Sequence, residues 1–318
     1  MPDAAPPSDV PTAPPPWTLT AESWLFPFWT SSSTKRQHQA AKRQTAQESD
    51  GAEVARQLGL PPGSFHPLEA LASAHVAKDH GEFKGGLGAW ILYRYTDSPA
   101  GPYDELIYVA GFFKSPDGKK STPRITNIYV STRASVWNGR RNWNIPKHVA
   151  EFSWSHPVHS DEAGVQTVSV RHPAGSPLRK AGGSGSGDDD DDAPFFSASL
   201  QPSRLPSVPV NTNLAIFPAL PLLQPPLSDC SGPYGGDGDD ADRRKLVEAA
   251  VASPSEGVWR STAPTFRGGA SMAYAKPLLS GGRYGDERGF PAATRTWSTG
   301  IRFRKVIVSF PEPVEARF

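Results

Sequence analysis

Cysteine is nearly missing from this chain. Cys230 is the only one, so an intrachain disulfide is impossible and a cysteine-based metal site is excluded, which suits a reducing compartment. No run of about 18 apolar residues occurs, as a membrane-spanning helix would require. The opening MPDAAPPSDVPTAPPP has neither the basic start nor the apolar core of a signal peptide. The expectation is a soluble cytoplasmic protein with no membrane partner. Excess charge of one sign is missing too. The 33 Lys and Arg nearly cancel the 32 Asp and Glu, leaving a net charge of +1, so there is no electrostatic footprint for nucleic acid. No Gly-rich phosphate loop follows a strand and no G-x-S-x-G elbow occurs, so nucleotide-dependent and serine-hydrolase chemistries have no support. His148, His156 and His159, with Asp161 nearby, match no zinc spacing. The five aspartates within GGSGSGDDDDDA, Gly182 to Ala193, lack the alternating ligands of an EF-hand. No metal or cofactor is expected.

Turn-forming residues are abundant. With 34 Pro and 29 Gly, short strands joined by turns fit better than long helices, and an antiparallel β protein is the natural prior. The first sixteen residues are rich in Pro, Ala and Ser and read as a disordered or extended tail. Residues 17–318 read as one domain with flexible insertions near 31–55, 175–193 and 231–244. WTLTAESWLFPFW, from Trp17, carries five large aromatics and is expected to be an ordered edge or lid element. Period-two alternation then predicts strands in LGAWILYRYTD after a Gly85–Gly86 turn, in DELIYVAGFF, RITNIYVST, HVAEFSWS and GVQTVSVRH, and in TGIRFRKVIVSF. In DELIYVAGFF, Glu105, Ile107 and Val109 share one face and Leu106, Tyr108 and Ala110 the other. In TGIRFRKVIVSF the apolar phase slips between Phe303 and Val306, as a β-bulge requires.

GRRNWNIPKHVAEF, Gly139 to Phe152, sets Lys147 behind a proline and an aromatic-rich turn. An ordinary lysine ammonium, with a pKa of roughly 10.4, pays about 4 to 5 kcal/mol at neutral pH to become a neutral amine. Burial or a nearby cation lowers that cost, and a lysine so placed becomes a nucleophile. The plain alternative is a surface lysine after a proline turn. Trp143 and Ile145 can supply a water-poor wall or simply pack a core. Arg140 can anchor a substrate carboxylate or brace the turn through carbonyls. Alternation puts His148 on the opposite side from Lys147, where it can tune the local field or shuttle protons. Arg94, between Tyr93 and Tyr95, is a further candidate for substrate contact.

Three segments together resemble the acetoacetate decarboxylase family. GPYDELIYV, Gly101 to Val109, resembles the piece in which a short aromatic turn leads into a strand, and it puts Glu105 in the place of the family's active-site glutamate. RITNIYVSTRAS resembles the strand leading to the catalytic turn, and GRRNWNIPK has the family's Gly-Arg to Pro-Lys spacing from Gly139 to Lys147. FKGGLG at Phe83 and FPEP at Phe310 resemble features of fungal members, so the resemblance extends from Trp17 to Phe318 with insertions. It implies a compact antiparallel β-barrel of the acetoacetate decarboxylase type, mainly β with a few short helices, an interior active site and assembly into homo-oligomers. Three departures bear on the substrate. His148 stands where decarboxylases carry a second lysine, Arg141 replaces the glutamate that follows Gly-Arg, and the family's early substrate-side arginine has no counterpart near Glu22.

The resemblance implies a cofactor-independent carboxy-lyase. Lys147 would condense with a β-keto acid, the protonated imine would accept the electrons released with carbon dioxide, and Glu105 would move the proton that the enamine needs. Glu105 can instead be an edge residue facing solvent. An aldolase or dehydratase using the same imine on another oxo acid stays open. So does a non-catalytic β-barrel that binds a hydrophobic small molecule with Lys147 as a polar anchor.

Overall fold

The computed structural model describes residues 8, 10–31, 55, 58–67, 69, 81–159, 164–174, 176–180, 193–214, 221–227, 258–292 and 296–318. The expected insertions fall largely outside these residues. Strands β1 (Trp17–Ser31), β2 (Phe83–Asp97), β3 (Tyr103–Lys114) and β4 (Ser121–Val130) come first. Helix α1 (Arg133–Trp143) leads to β5 (Lys147–Val149), β6 (Glu151–Trp154) and β7 (Gln166–Arg171). A helical turn α2 (Pro177–Lys180), β8 (Phe196–Pro202), β9 (Val208–Asn211) and β10 (Leu222–Gln224) follow. The chain ends in β11 (Trp259–Thr262), β12 (Thr265–Pro277), β13 (Thr299–Phe310) and β14 (Val314–Ala316).

Eleven strands form one sheet in the order β5-β4-β3-β2-β1-β13-β12-β8-β7-β6, with β9 added on β12. The two ends of this path, β5 and β6, are consecutive in the chain with only Ala150 between them, so the sheet must curl until its ends meet as a nearly closed barrel. Ala150 N donates to Val130 O at 2.9 Å, fixing the corner. A second sheet pairs β10, β11 and β14. Among the described residues every strand pair is antiparallel except β4 with β5, which the α1 crossover makes possible.

Strands β1 to β4 are covered on both faces. Leu106, Tyr108 and Ala110 of β3 point into a core with Trp24, Phe26, Trp90 and Leu92. Tyr103 and Ile107, on the other face, join Trp17, Leu19, Tyr95 and Trp143 in a second core. Burial on both sides explains the aromatic density of β1. It is a central strand between β2 and β13 rather than an edge or lid, and of its five aromatics only Trp29 is exposed, at 63%.

Two local expectations change. Gly85 and Gly86 lie within β2 rather than in a turn, paired with Ser31 and Thr30 of β1 where the register with β3 shifts, and both have positive φ. The slip expected in β13 is present, since Ala21 pairs Val306 and Ser23 pairs Phe303. The segment before Lys147 is a helix rather than a turn. Thr132 caps α1 by accepting from Ser135 N, and Asn144, with φ of 54°, ends it in the left-handed region. Its buried face includes Ser135, Asn138 and Arg140, so apolar periodicity could not reveal it. Within the segment expected as a tail, Val10 and Ala13 are buried. Ala13 N donates to Asn138 Oδ1 at 2.7 Å, tying this segment to α1.

Trp90 is fully buried, stacks on Phe26 at 4.4 Å between centroids and donates to Thr296 Oγ1 at 3.0 Å. Trp90→Ala is therefore expected to lower the free energy of unfolding by about 3–5 kcal/mol, seen as an earlier midpoint in urea titration with far-ultraviolet dichroism.

Candidate active site

Lys147 opens β5. Its N–H donates to Ile145 O at 2.8 Å, and β5 pairs in parallel with β4, setting Lys147 beside Ile128. Glu105 lies on the far side of β4, paired with Val130. Two positions separated by an entire strand thus meet diagonally. The arm of Lys147 runs against α1 at Gly139, where a Cβ would sit 2.7 Å from Lys147 Cδ and 2.8 Å from Cε. A side chain at this position would have to push the lysine arm aside.

Lys147 and Glu105 are 5% and 3% exposed. Lys147 Nζ donates to Glu105 Oε2 at 2.7 Å and to Ser135 Oγ at 2.9 Å, with Tyr103 OH at 3.5 Å. Tyr95 OH donates to the other carboxylate oxygen, Oε1, at 3.1 Å. Tyr93, Tyr95 and Tyr103 lie ring on ring, with centroids 5.0 and 4.6 Å apart. Burial, reinforced by the charge of Glu105, raises the pKa of all three tyrosines, so they remain phenols and Tyr95 stays a donor. Lys147, Glu105, Tyr95 and Tyr103 meet in a chamber of about 20 Å³ lined also by Trp17, Trp143 and Ile145. Beside it lies an apolar cavity of about 400 Å³, and Tyr95, Ile107, Ile125 and Phe310 line both.

The opposite side of β5 carries a second buried polar group. His148 Nε2 lies 2.9 Å from Glu69 Oε1, Arg140 pairs with the same oxygen, and His66 stacks on His148 at 3.6 Å. Arg140 Nη1 also reaches Lys147 O at 3.4 Å. Burial opposes ionisation of Glu69, but Arg140 and the hydrogen bond with His148 outweigh it and hold its carboxyl down to about 2. Burial pushes His66 and His148 down as well, and brings His172 to about 3.

The residues singled out from sequence therefore divide. Lys147, Glu105, Trp143 and Ile145 share the chamber. His148 faces away from it, as alternation requires, and Arg140 braces β5 through Glu69 and a backbone carbonyl instead of facing the chamber. Arg94 does not reach it. While Tyr93 and Tyr95 face the second core, Arg94 stacks over Trp154 at 4.4 Å and donates to His156 O at 3.0 Å. Near Glu22 the structure has an ion pair, with Arg302 Nη2 at 2.7 Å from Glu22 Oε1. Ser135, Tyr95, Tyr103 and Glu69 were not anticipated. The tyrosines were within reach of the sequence, because pairing β2 with β3 sets Tyr93 opposite Glu105 and Tyr95 opposite Tyr103. Ser135 and Glu69 carried no such signal. Among the described residues, no group of three or more His, Cys, Asp or Glu side chains can hold a metal, and no helix is long and apolar enough to cross a membrane.

A histidine whose folded pKa lies below its unfolded value of about 6.5 takes up protons preferentially in the unfolded chain, so stability falls as pH drops below 6.5. With His172 near 3, the loss between pH 6.5 and 4.5 is about 2–3 kcal/mol from this residue alone. Chemical denaturation across this range is expected to show the loss, and His172→Phe to remove that part of the slope.

No protein-family model matches the sequence. Plant proteins share a short stretch with it. Protein NEOXANTHIN-DEFICIENT 1 of rice (Oryza sativa subsp. japonica) is 39% identical over 67 residues, 21% of this chain and 22% of that protein. The Arabidopsis thaliana protein of the same name is 36% identical over 67 residues, 21% and 23% of the two chains. The chain thus matches less than a quarter of the length of these relatives. Among solved structures, acetoacetate decarboxylase from Legionella pneumophila superposes with a TM-score of 0.52 at 10% identity, covering 99% of this chain and 92% of that one. An acetoacetate decarboxylase-like enzyme from Sphingomonas wittichii gives 0.48 at 10% identity, covering 98% and 99%. A mainly β chain whose sheet curls into a nearly closed barrel, over almost its whole length, has the fold of acetoacetate decarboxylase.

Proposed function

We propose that this chain is a Schiff-base-forming carboxy-lyase that decarboxylates a β-keto acid through Lys147, with Glu105 as its acid and base. The observation that carries the reading is the buried contact of 2.7 Å between Lys147 Nζ and Glu105 Oε2. A proton passing across it leaves a neutral amine beside a neutral carboxylic acid, a pair that needs less solvation than two charges in an apolar chamber. The amine adds to the ketone carbon, and loss of water gives the protonated imine. The bond to the carboxylate then breaks, its electron pair moves to the imine nitrogen, and carbon dioxide leaves an enamine. Glu105, which gives its first proton to the departing water and takes up another from solvent, protonates the enamine carbon, and water then releases the ketone and the free lysine. Tyr95, donating to Glu105 Oε1, holds the carboxyl group in place through this exchange.

The missing second lysine fits this mechanism. His148 lies on the far side of β5, so the reading rests on Glu105 as the group that accepts the proton of Lys147 rather than on a neighbouring cation. Lys147 and Glu105 are also the only charged side chains among the described residues lining the chamber and the adjoining cavity. The iminium is then the only counter-cation for a substrate carboxylate there, which favours a substrate whose carboxylate lies close to its carbonyl.

Incubation with a β-keto acid and borohydride is expected to leave a reduced, mass-shifted peptide containing Lys147, with carbon dioxide released in parallel without the reductant. Lys147→Ala is expected to abolish both, and turnover by that variant would remove the reading. Glu105→Gln is expected to lower kcat by about 10²–10⁴-fold. Carbon-carbon bond formation or loss of water without carbon dioxide would instead assign an aldolase or dehydratase using the same imine.

Gly139→Ala gives an independent check. The added methyl must displace the lysine arm, and a shift of about 1 Å at a reacting group costs on the order of 10²-fold in rate. Steady-state kinetics on a variant with unchanged far-ultraviolet dichroism reads this loss.

A further inference from the structure

The chamber at Lys147, at about 20 Å³, has room for little more than a reacting carbonyl. The adjoining cavity is about twenty times larger, at about 400 Å³, which falls in the usual range for sites that hold small molecules. Its walls are Ile91, Val109, Pro123, Leu222, Pro264 and Phe266 together with the residues shared with the chamber. None of its described lining residues is charged. Its hydroxyls are largely engaged within the protein: Tyr95 OH donates to Glu105, and Thr212 Oγ1 accepts from Phe266 N at 2.7 Å. A ligand here gains by burying apolar surface, and a second charge or an unpartnered polar group would be desolvated without compensation.

The cavity also has a direction. Glu105, Ile107 and Val109 follow one another on one face of β3, with Glu105 and Ile107 lining the chamber and Ile107 and Val109 the cavity. At about 3.4 Å per residue, that row runs roughly 13 Å from the carboxylate. The volume corresponds to roughly a dozen water-sized units of about 30 Å³.

We infer that the cavity binds the apolar body of the substrate, so that the class accepted is an oxo compound with a hydrocarbon chain of about ten non-hydrogen atoms beyond its carbonyl and one ionisable group at most, next to that carbonyl. This rests on the Lys147 reading for the carbonyl, but not for the chain. A small, doubly polar oxo acid would leave the cavity unused. For a chain seated in it, each added methylene strengthens binding about fourfold until the space is full.

The test uses the full-length protein and two homologous series of about four to sixteen carbons, the 2-alkanols, which cannot form an imine, and the matching methyl ketones. Calorimetry on the alcohols is expected to show affinity rising about fourfold per methylene and levelling once the chain beyond the carbinol carbon nears ten carbons. Ala263→Trp and Val109→Trp, each adding bulk to the wall, are expected to shift the levelling point to shorter chains. Affinity independent of chain length, or a series unmoved in both variants, would overturn the inference. Borohydride trapping of the ketones separates it from the lysine chemistry. A chain-length series in the alcohols without any Lys147 adduct overturns the imine and leaves the cavity assignment standing. Trapping of four-carbon ketones with no chain-length effect overturns the cavity assignment alone.

Discussion

The contact between Lys147 Nζ and Glu105 Oε2 sets the terms for the rest of the site. An ion pair removed from water costs several kcal/mol per ion unless its remaining hydrogen bonds are met, and taking away one partner of such a pair costs about 3–5 kcal/mol. Ser135 and Tyr95 meet those needs from two directions, one on the lysine and one on the carboxylate. The reaction proposed for this chain runs through the same pair.

Backbone topology decides that these groups meet. A parallel neighbour for β4 requires a crossover, and that crossover is α1, which brings Ser135 over the lysine and opens a slot at Gly139 for its aliphatic arm. Strand β5, only three residues long, separates two polar clusters. On one side lie Lys147 and Glu105; on the other, His148, Glu69 and Arg140. Arg140 contacts both Glu69 and the carbonyl of Lys147, so the rear cluster anchors the backbone from which the lysine projects.

Much of this was legible from residue order. The alternation in β3 oriented Glu105 together with Ile107 and Val109, the apolar slip in β13 marked its bulge, and the step from Lys147 to His148 put them on opposite faces. What was not legible shares one cause. Local periodicity reports only burial against apolar surroundings, whereas α1 buries a polar face and β1 is buried on both sides. A helix that inserts Ser135, Asn138 and Arg140 into the protein reads as an aromatic-rich turn, and a strand covered twice reads as an edge crowded with aromatics. Glu69, 78 residues before Lys147 in the chain, is joined to the site only by tertiary packing. Arg94 misled for the complementary reason: its flanking tyrosines do face the site, and a single step along the strand turns it away.

The most direct measurement is a crystal structure of the protein incubated with a β-keto acid and reduced in place. The account predicts continuous density from Lys147 Nζ to the former carbonyl carbon, within hydrogen-bonding reach of Glu105, with any hydrocarbon chain lying between Ile107 and Phe310. An unmodified Lys147 still paired with Glu105, with the ligand bound elsewhere, would contradict it.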